Sequence, residues 1–441
     1  MLKITFIGAG STIFARNVLG DVMSTEALRN CRIALYDIDA TRLEESHRIL
    51  ATINHNINED RAQIVDYLGV ENRREALRDA DFVINAIQVG GYEPCTVIDF
   101  EIPKKYGIQQ TIADTLGIGG IMRALRTIPV MEDFAHEMEE VCPNALLLNY
   151  TNPMAMLTGY ISRYTGVKMV GLCHSVQVCS EHLLTHLGMQ DKLEGRRELI
   201  AGINHMAWLL QIQDRDGNDL YPEIRRRALE MNAGEKHWDM VRFDYIDKLG
   251  YYCTESSEHN AEYNPFYIKP GYPELIGRFN IPLDEYPRRC IHQIQEWKDL
   301  SRKLLTDPEL SHSRSGEYAS YIMEAVVTNK PYSIGGNVLN TGHLITDFPE
   351  HACVEVPCLV DGAGIHPTRV GSLPSVLAAM NMTNINTQLL TIEAARTRRK
   401  EDILRAVMLE PRCAAILSID DMAKMVDELL EAHGPYMAMY H

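Results

Sequence analysis

The 441-residue sequence predicts an α/β fold: a doubly wound parallel sheet over residues 1–200, followed by a mixed α+β, helix-rich domain over residues 201–441. Three observations predict it. Short apolar runs alternate with segments of helical period through the first half. A glycine-rich or polar cluster follows each of several such runs, at the edge where sheets of this kind carry ligands. After residue 200 the alternation fades and helical patterns dominate.

Residues 3–7 form the first buried strand, and Gly8-Ala9-Gly10-Ser11 follows it, ahead of a helix through Ile13, Val18 and Leu19. Glycines there allow a tight turn and let backbone N–H groups approach a pyrophosphate at the helix N-terminus. Ile13 stands where the usual Rossmann-like fingerprint has its third glycine, so a turn without a ligand stays open as an alternative. Residues 32–36 form the next strand, ending at Asp37-Ile38-Asp39. Asp37 has the spacing of the acidic residue that takes both ribose hydroxyls, which favours NAD over NADP because a 2′-phosphate would be repelled. Arg42 nearby keeps NADP open, and a helix N-cap is the plainer reading of Asp37 or Asp39.

Residues 82–87, 145–148 and 168–172 read as further buried strands, with helices over 113–138 and 155–163. They end at Gln88-Val89-Gly90-Gly91, at Asn149-Tyr150-Thr151-Asn152-Pro153 and at Cys173-His174-Ser175. Gly8, Gly10, Ser11, Asp37, Gly90 and Asn149 are the candidate cofactor contacts. Cys173 and His205, the latter in Gly202-Ile203-Asn204-His205, offer a thiolate and an imidazole, half of a metal site with positions left for a substrate. A buried structural thiol is the bland reading of Cys173 taken alone.

The net charge of −17 argues against nucleic acid and anionic membranes as partners. No basic stretch leads into an apolar core, and no apolar run approaches the ~18–20 residues that cross a bilayer, so a cytoplasmic location is expected. Ten scattered cysteines fit buried small side chains in a reducing compartment. In the second half, residues 211–217 suggest a hairpin turn after a strand at 208–210. Ser418 with Asp421 suggests a helix N-terminus, and Gly434 a stop. The stripe of Met422, Met425, Val426, Leu429 and Leu430 between them reads as core or as a subunit contact.

Taken together, Gly-Ala-Gly-Ser-Thr at 8–12, Gln-Val-Gly-Gly at 88–91, Asn-Tyr-Thr-Asn-Pro at 149–153 and Gly-Leu-Cys-His-Ser at 171–175 resemble glycoside hydrolase family 4. Gly-Ile-Asn-His-Met at 202–206, Thr-Glu-Ser-Ser-Glu-His at 254–259 and Thr-Asn-Ile-Asn at 383–386 extend the likeness over nearly the whole chain. It is strongest to the bacterial α-galactosidases of that family. The resemblance implies a departure from the two-carboxylate scheme. Carbon 3 of the sugar is oxidised by bound NAD⁺, a base removes the carbon 2 proton, and the leaving group is eliminated. Water then adds and the ketone is reduced again. A divalent metal, usually Mn²⁺, polarises the carbon 3 oxygen.

By that resemblance Cys173 and His205 match the metal ligands, Asn152 the asparagine on the substrate hydroxyls, and Tyr263 the base, with His259 its competitor. Gln88 stands where the phosphoglycosidases carry an arginine, and a neutral amide cannot balance a phosphate dianion, which implies an unphosphorylated hexose. His174 replaces an acidic residue thought to protonate the leaving group, and could take over that work or merely orient Cys173. Residues 112–120 match a glycine-rich loop at the site, with Arg123 beyond it either reaching the pocket or exposed on its helix. The family commonly forms homodimers or homotetramers. The alternatives carried forward are the same mechanism on α-glucosides or α-galacturonides, a simple NAD-dependent dehydrogenase, and a sugar or redox sensor.

Overall fold

The computed structural model describes residues 1–441. Strands β1 (Leu2–Ile7), β2 (Cys31–Asp37), β3 (Gln63–Leu68), β4 (Phe82–Asn85), β5 (Leu146–Asn149) and β6 (Lys168–Gly171) form a parallel sheet in the order β3-β2-β1-β4-β5-β6. This is the doubly wound arrangement that the first half of the sequence predicts, with the order reversing between β1 and β4. β1 and β4 are almost wholly buried because helices cover both faces, so their sequences are continuous apolar runs rather than alternating ones. β3, which the sequence reading passes over, is an edge strand without one fully buried residue.

The later strands are β7 (Arg197–Ile203), β8 (Met206–Gln213), β9 (Tyr252–Cys253), β10 (Tyr332–Leu339), β11 (Cys353–Asp361) and β12 (Gly364–Pro367). β10 pairs antiparallel with β6 at Asn337 and Gly171, and the sheet continues β10-β11-β7-β8-β9, with β12 on β11. One sheet therefore runs through the molecule, parallel at one end and antiparallel at the other, and β7 straddles residue 200. The hairpin turn after β8 closes with Gly217 N–H donating to the Asp214 carbonyl at 3.0 Å.

The helix expected from residue 113 begins later, spanning Gly117–Val141. Its apolar period does continue upstream, but the Glu262 carboxylate accepts the N–H groups of Thr111, Ile112 and Ala113 at 2.7, 3.2 and 2.8 Å. Bonds to a charged acceptor, at about 1.5–3 kcal/mol each, outweigh helix propensity. They hold this segment as a loop, with Ala113 at φ +53°.

The C-terminal helix Ile419–His433 starts where Ser418 Oγ accepts the Asp421 N–H at 3.2 Å. Its Met422, Met425, Val426 and Leu429 are buried in the chain's own core, which settles that stripe as core. The helix ends on the buried Asp99, which accepts from His433 Nε2 at 2.9 Å and from the Arg126 guanidinium at 2.6 Å. Exposed apolar side chains occur elsewhere: Ile291 and Ile294 are neighbours on one face of the helix Glu285–Thr306, and Leu300 is exposed on another. All ten cysteines are free and buried, and no helix is long and apolar enough to cross a membrane.

Candidate active site

The turn after β1 is built for close approach. Gly8 has φ +86°, and a Cβ there would come within 2.8 Å of the Ala86 carbonyl oxygen; one on Gly10 would come within 2.8 Å of Asp37 Oδ2. Gly10 N–H donates to Asp37 Oδ2 at 2.6 Å, and Asp39 N–H to Asp37 Oδ1 at 2.9 Å. Asp39 caps the helix Ala40–Asn58 by accepting the Arg42 N–H at 3.1 Å, so Asp37 is left to brace the glycine turn. Ser11, at the start of the helix Thr12–Ser24, makes no side-chain cap. The first-turn N–H groups are thus left to a ligand, which fits a pyrophosphate.

Ser11 also lines a cavity of about 380 Å³ that reaches Cys173 and His205. These two come from strands far apart in sequence. β6 delivers Cys173 just past Gly171; the two-residue turn between β7 and β8 delivers His205, at φ +63°. Between them lie β10 and β11, joined by Asn337 opposite Gly171 and Glu355 opposite Gly202. Asn337 Nδ2 donates to Glu355 Oε1 at 2.8 Å, and burial pushes the Glu355 carboxyl up to about 7.

Cys173 and His205 are joined by Glu255: one sulfur, one imidazole nitrogen and one carboxylate oxygen lie within 4.8 Å of one another. A second set, Asp114, His205 and His259, shares the same histidine. Burial pushes the Cys173 thiol up and the His205 imidazole down, so the histidine is neutral and offers a lone pair. Burial pushes the Glu255 carboxyl up, while the Ser256 N–H and the charge of neighbouring imidazoles and of Arg242 pull it down, and the net shift is below the ordinary carboxylate value. A thiol, a neutral imidazole and an ionised carboxylate converging at a sheet edge fit a divalent cation. Asn152 lines the same cavity with a buried Oδ1 that has no partner in the chain, an acceptor left for a ligand hydroxyl.

The helix Ser257–Tyr263 presents three residues to this region. His259 lines the cavity, its Nδ1 2.7 Å from Ser256 Oγ and its Nε2 3.9 Å from Asp114 Oδ1. Glu262 clamps the loop that carries Asp114. Tyr263, the residue expected as the base, has a different position. It is fully buried behind His205, its hydroxyl 2.9 Å from His205 Nδ1, and it does not line the cavity. Burial pushes its phenol well above the ordinary value, and Asp114, Glu262 and Glu255 push the same way.

His174 lines the cavity at the start of the helix His174–His186, with its Nε2 2.6 Å from Glu317 Oε2. The bond to Glu317 raises the imidazole pKa and favours the proton-carrying form. Glu317 ends a segment docked on the first helix: the buried Asp21 accepts from His312 Nε2 at 2.7 Å and from Ser315 Oγ at 2.6 Å. Gln88 lines the cavity and is exposed, on a loop that Arg126 Nε holds through the Val89 carbonyl at 3.1 Å. Arg123 reaches the cavity and is not the exposed helix arginine of the bland reading; it is buried, with Tyr286 Oη 3.5 Å away.

Two expected cofactor contacts are used internally. Asn149 is fully buried, its Oδ1 accepting from Asn85 Nδ2 at 2.9 Å and from Thr151 N–H at 3.1 Å, so it shapes the turn that carries Asn152. Gly90 packs on Cys95 behind the wall. Conversely, sequence reasoning assigned no role to Asp114, Glu255, Glu262 or Glu317. The four-residue step from Glu255 to His259 was a usable signal that both side chains face one cavity; Glu317, 143 residues from His174, gave none.

The descriptions of the family 4 glycosyl hydrolases and of their C-terminal domain match residues 3–189 and 200–413 of this chain. An α-galactosidase of Bacillus subtilis (strain 168) is 58% identical over 440 residues, covering 100% of both chains. Two solved structures share the fold. One is a putative glucosidase from Bacillus subtilis, at TM-score 0.86 and 24% identity over 97% of this chain and 99% of that one. The other is a 6-phospho-β-glucosidase from Thermotoga maritima with manganese, NAD⁺ and glucose-6-phosphate, at TM-score 0.77 and 22% identity over 99% of each. With matches across both halves and the cysteine–histidine pair at the centre of its cavity, the chain belongs to family 4 of the glycosyl hydrolases.

Proposed function

We propose that this protein is an α-galactosidase that acts on terminal, unphosphorylated α-galactosides with NAD⁺ and Mn²⁺. The observation that carries the substrate is the full-length likeness to the Bacillus subtilis α-galactosidase, and the neutral Gln88 in the cavity wall agrees with a sugar that bears no phosphate. Residues 1–200 hold the dinucleotide through Gly8, Gly10, Ser11 and Asp37, and residues 201–441 bring His205, Glu255 and His259 over the sugar. When bound, NAD⁺ supplies a reversible hydride acceptor for carbon 3, and the metal a Lewis acid for the oxygen there.

The chain's own groups do the rest. Cys173 and His205 would hold the metal, and Asn152 Oδ1 accepts a hydrogen bond from a substrate hydroxyl. His259, at the cavity surface, takes the carbon 2 proton, while Tyr263 sets the His205 ring from behind. His174 gives its proton to the departing glycosidic oxygen, with Glu317 maintaining the charged imidazole. The exposed neighbours Ile291 and Ile294 on the helix Glu285–Thr306 are consistent with assembly into a homodimer or homotetramer.

A specific consequence concerns Glu317. Glu317→Gln keeps the shape but removes the charge that favours protonated His174. Turnover of a natural galactoside, a poor leaving group, is expected to fall by about 100-fold, within the range for one acid–base group. An activated nitrophenyl galactoside, which needs no proton, should be nearly unaffected. Equal losses on both substrates would remove His174 from this role.

The reading as a whole is tested on a chromogenic α-galactoside, adding NAD⁺, Mn²⁺ and a thiol reductant singly and together. Release that needs both NAD⁺ and metal, with no net NADH, is the expected result. A dehydrogenase would consume NAD⁺ with each turnover. Release that persists after both are stripped would overturn the redox mechanism, and activity on an α-galacturonide or α-glucoside alone would replace the substrate.

A further inference from the structure

We infer that Glu255 is a third protein ligand of the metal, which makes the site a sulfur–nitrogen–oxygen triad for a divalent cation such as Mn²⁺. The inference rests on the metal-dependent reading above and adds a residue to it.

His205 is pinned from both sides. Its Nδ1 lies 2.9 Å from Tyr263 Oη, whose only side-chain neighbour at hydrogen-bond distance is that ring. Its Nε2 lies 3.3 Å from Glu255 Oε2 without the alignment of a hydrogen bond. If Nδ1 carries the proton and donates it to the tyrosine oxygen, Nε2 presents a bare lone pair toward a carboxylate oxygen. Two lone pairs at that distance repel unless a cation sits between them. Metal-bound histidines are oriented in this manner, with the far nitrogen donating to an outer partner.

The carboxylate is likewise aimed. Glu255 Oε1 accepts the Ser256 N–H at 2.9 Å, leaving Oε2 for the histidine side, where Cys173 Sγ also lies. Glu255 holds φ +59° and His205 φ +63°, left-handed backbone that neither side chain prefers. Strain of this kind persists where the surroundings over-determine it, and it gathers at ligand clamps. Glu255 lines the cavity along with Cys173 and His205, so an ion held by all three keeps an open face toward the sugar.

The third ligand also makes the site more favourable to Mn²⁺. A thiolate and an imidazole alone suit zinc and other soft or borderline ions, whereas Mn²⁺ favours carboxylate and hydroxyl oxygens. Glu255 supplies a hard oxygen, and its negative charge together with that of the bound thiolate neutralises a dication.

Metal binding can be read without any sugar turnover, by titrating the metal-stripped full-length protein with Mn²⁺ and following free Mn²⁺ by electron paramagnetic resonance. Glu255→Gln is expected to weaken Mn²⁺ binding at least about 10-fold while leaving NAD⁺ binding unchanged, and to weaken Zn²⁺ binding less. Asp114→Asn, the control for the second cluster around His205, should leave the Mn²⁺ affinity within about 3-fold. Unchanged Mn²⁺ affinity in Glu255→Gln, or loss only in Asp114→Asn, overturns the assignment. A manganese-soaked crystal of the unmodified protein gives the same decision without relying on a variant to fold: an anomalous peak within bonding distance of the Glu255 carboxylate supports the triad, and one bonded only to Cys173 and His205 overturns it. Failure of the unmodified protein to bind any divalent ion would instead bring down the functional reading along with the triad.

Discussion

Cys173→Ser is expected to lower kcat/KM at ordinary Mn²⁺ concentrations by more than about 100-fold, the upper end of what loss of an outer-shell partner costs a metal site. Sulfur and oxygen have similar reach, but a serine hydroxyl stays protonated and neutral, so the site loses an anionic donor. Folding of the metal-free protein should be nearly indifferent, because the one side chain at hydrogen-bond distance from the thiol is Ser175, whose Oγ lies 3.1 Å away. The discriminating measurement is the rise in Tm on adding Mn²⁺. Ligand that binds only the folded state stabilises it by RT ln(1 + [L]/Kd), about 2.7 kcal/mol at a hundredfold excess over Kd. The variant should lose most of that rise while keeping the rise caused by NAD⁺. A serine variant that still gains stability from Mn²⁺ to the same extent would take Cys173 out of the site.

Why Cys173 could be singled out at all is instructive. The parallel half was legible because each strand is a continuous apolar run and each ends in a cluster that makes no sense as core. Gly8, Gly10, Asp37, Cys173 and His174 all announced themselves in this way. β3 did not, since an edge strand with half-exposed residues has neither the apolar run nor a clean alternation. The start of the helix Gly117–Val141 was misplaced because a distant carboxylate, Glu262, decides the backbone of residues 111–113. No local pattern records that contact.

The same division separates the parts of the site. Residues at strand ends could be singled out as candidates from sequence, and residues that brace them could not. Glu262, Glu317 and the Asn337–Glu355 pair act across large sequence separations, and their chemistry appears only when the chain is folded. Asn149 erred in the opposite direction. It sits at a strand end like the functional residues, but its amide is consumed by Asn85 and Thr151, so position at the ligand edge did not by itself make it a ligand group. Tyr263 stands one helical step beyond His259 on the same face, yet its ring packs behind His205 while His259 lines the cavity, so position on the helix does not by itself divide their roles.

That division can be tested by a pair of variants. His259→Gln should reduce kcat by about 10²–10⁴-fold at saturating Mn²⁺, the range for one general base, with Mn²⁺ affinity little changed. Tyr263→Phe should raise the Mn²⁺ requirement by about 10–100-fold and recover most of its kcat once metal is in excess, because it removes only the partner that orients His205. Hydrogen exchange at carbon 2 separates the two roles further. In heavy water the parent enzyme should release galactose carrying deuterium at carbon 2, and slow turnover by Tyr263→Phe should still do so. The opposite pattern, in which Tyr263→Phe stays inactive at any Mn²⁺ concentration while His259→Gln responds to added metal, would return the base to Tyr263. It would also require the phenol to reach the sugar from its buried place behind His205.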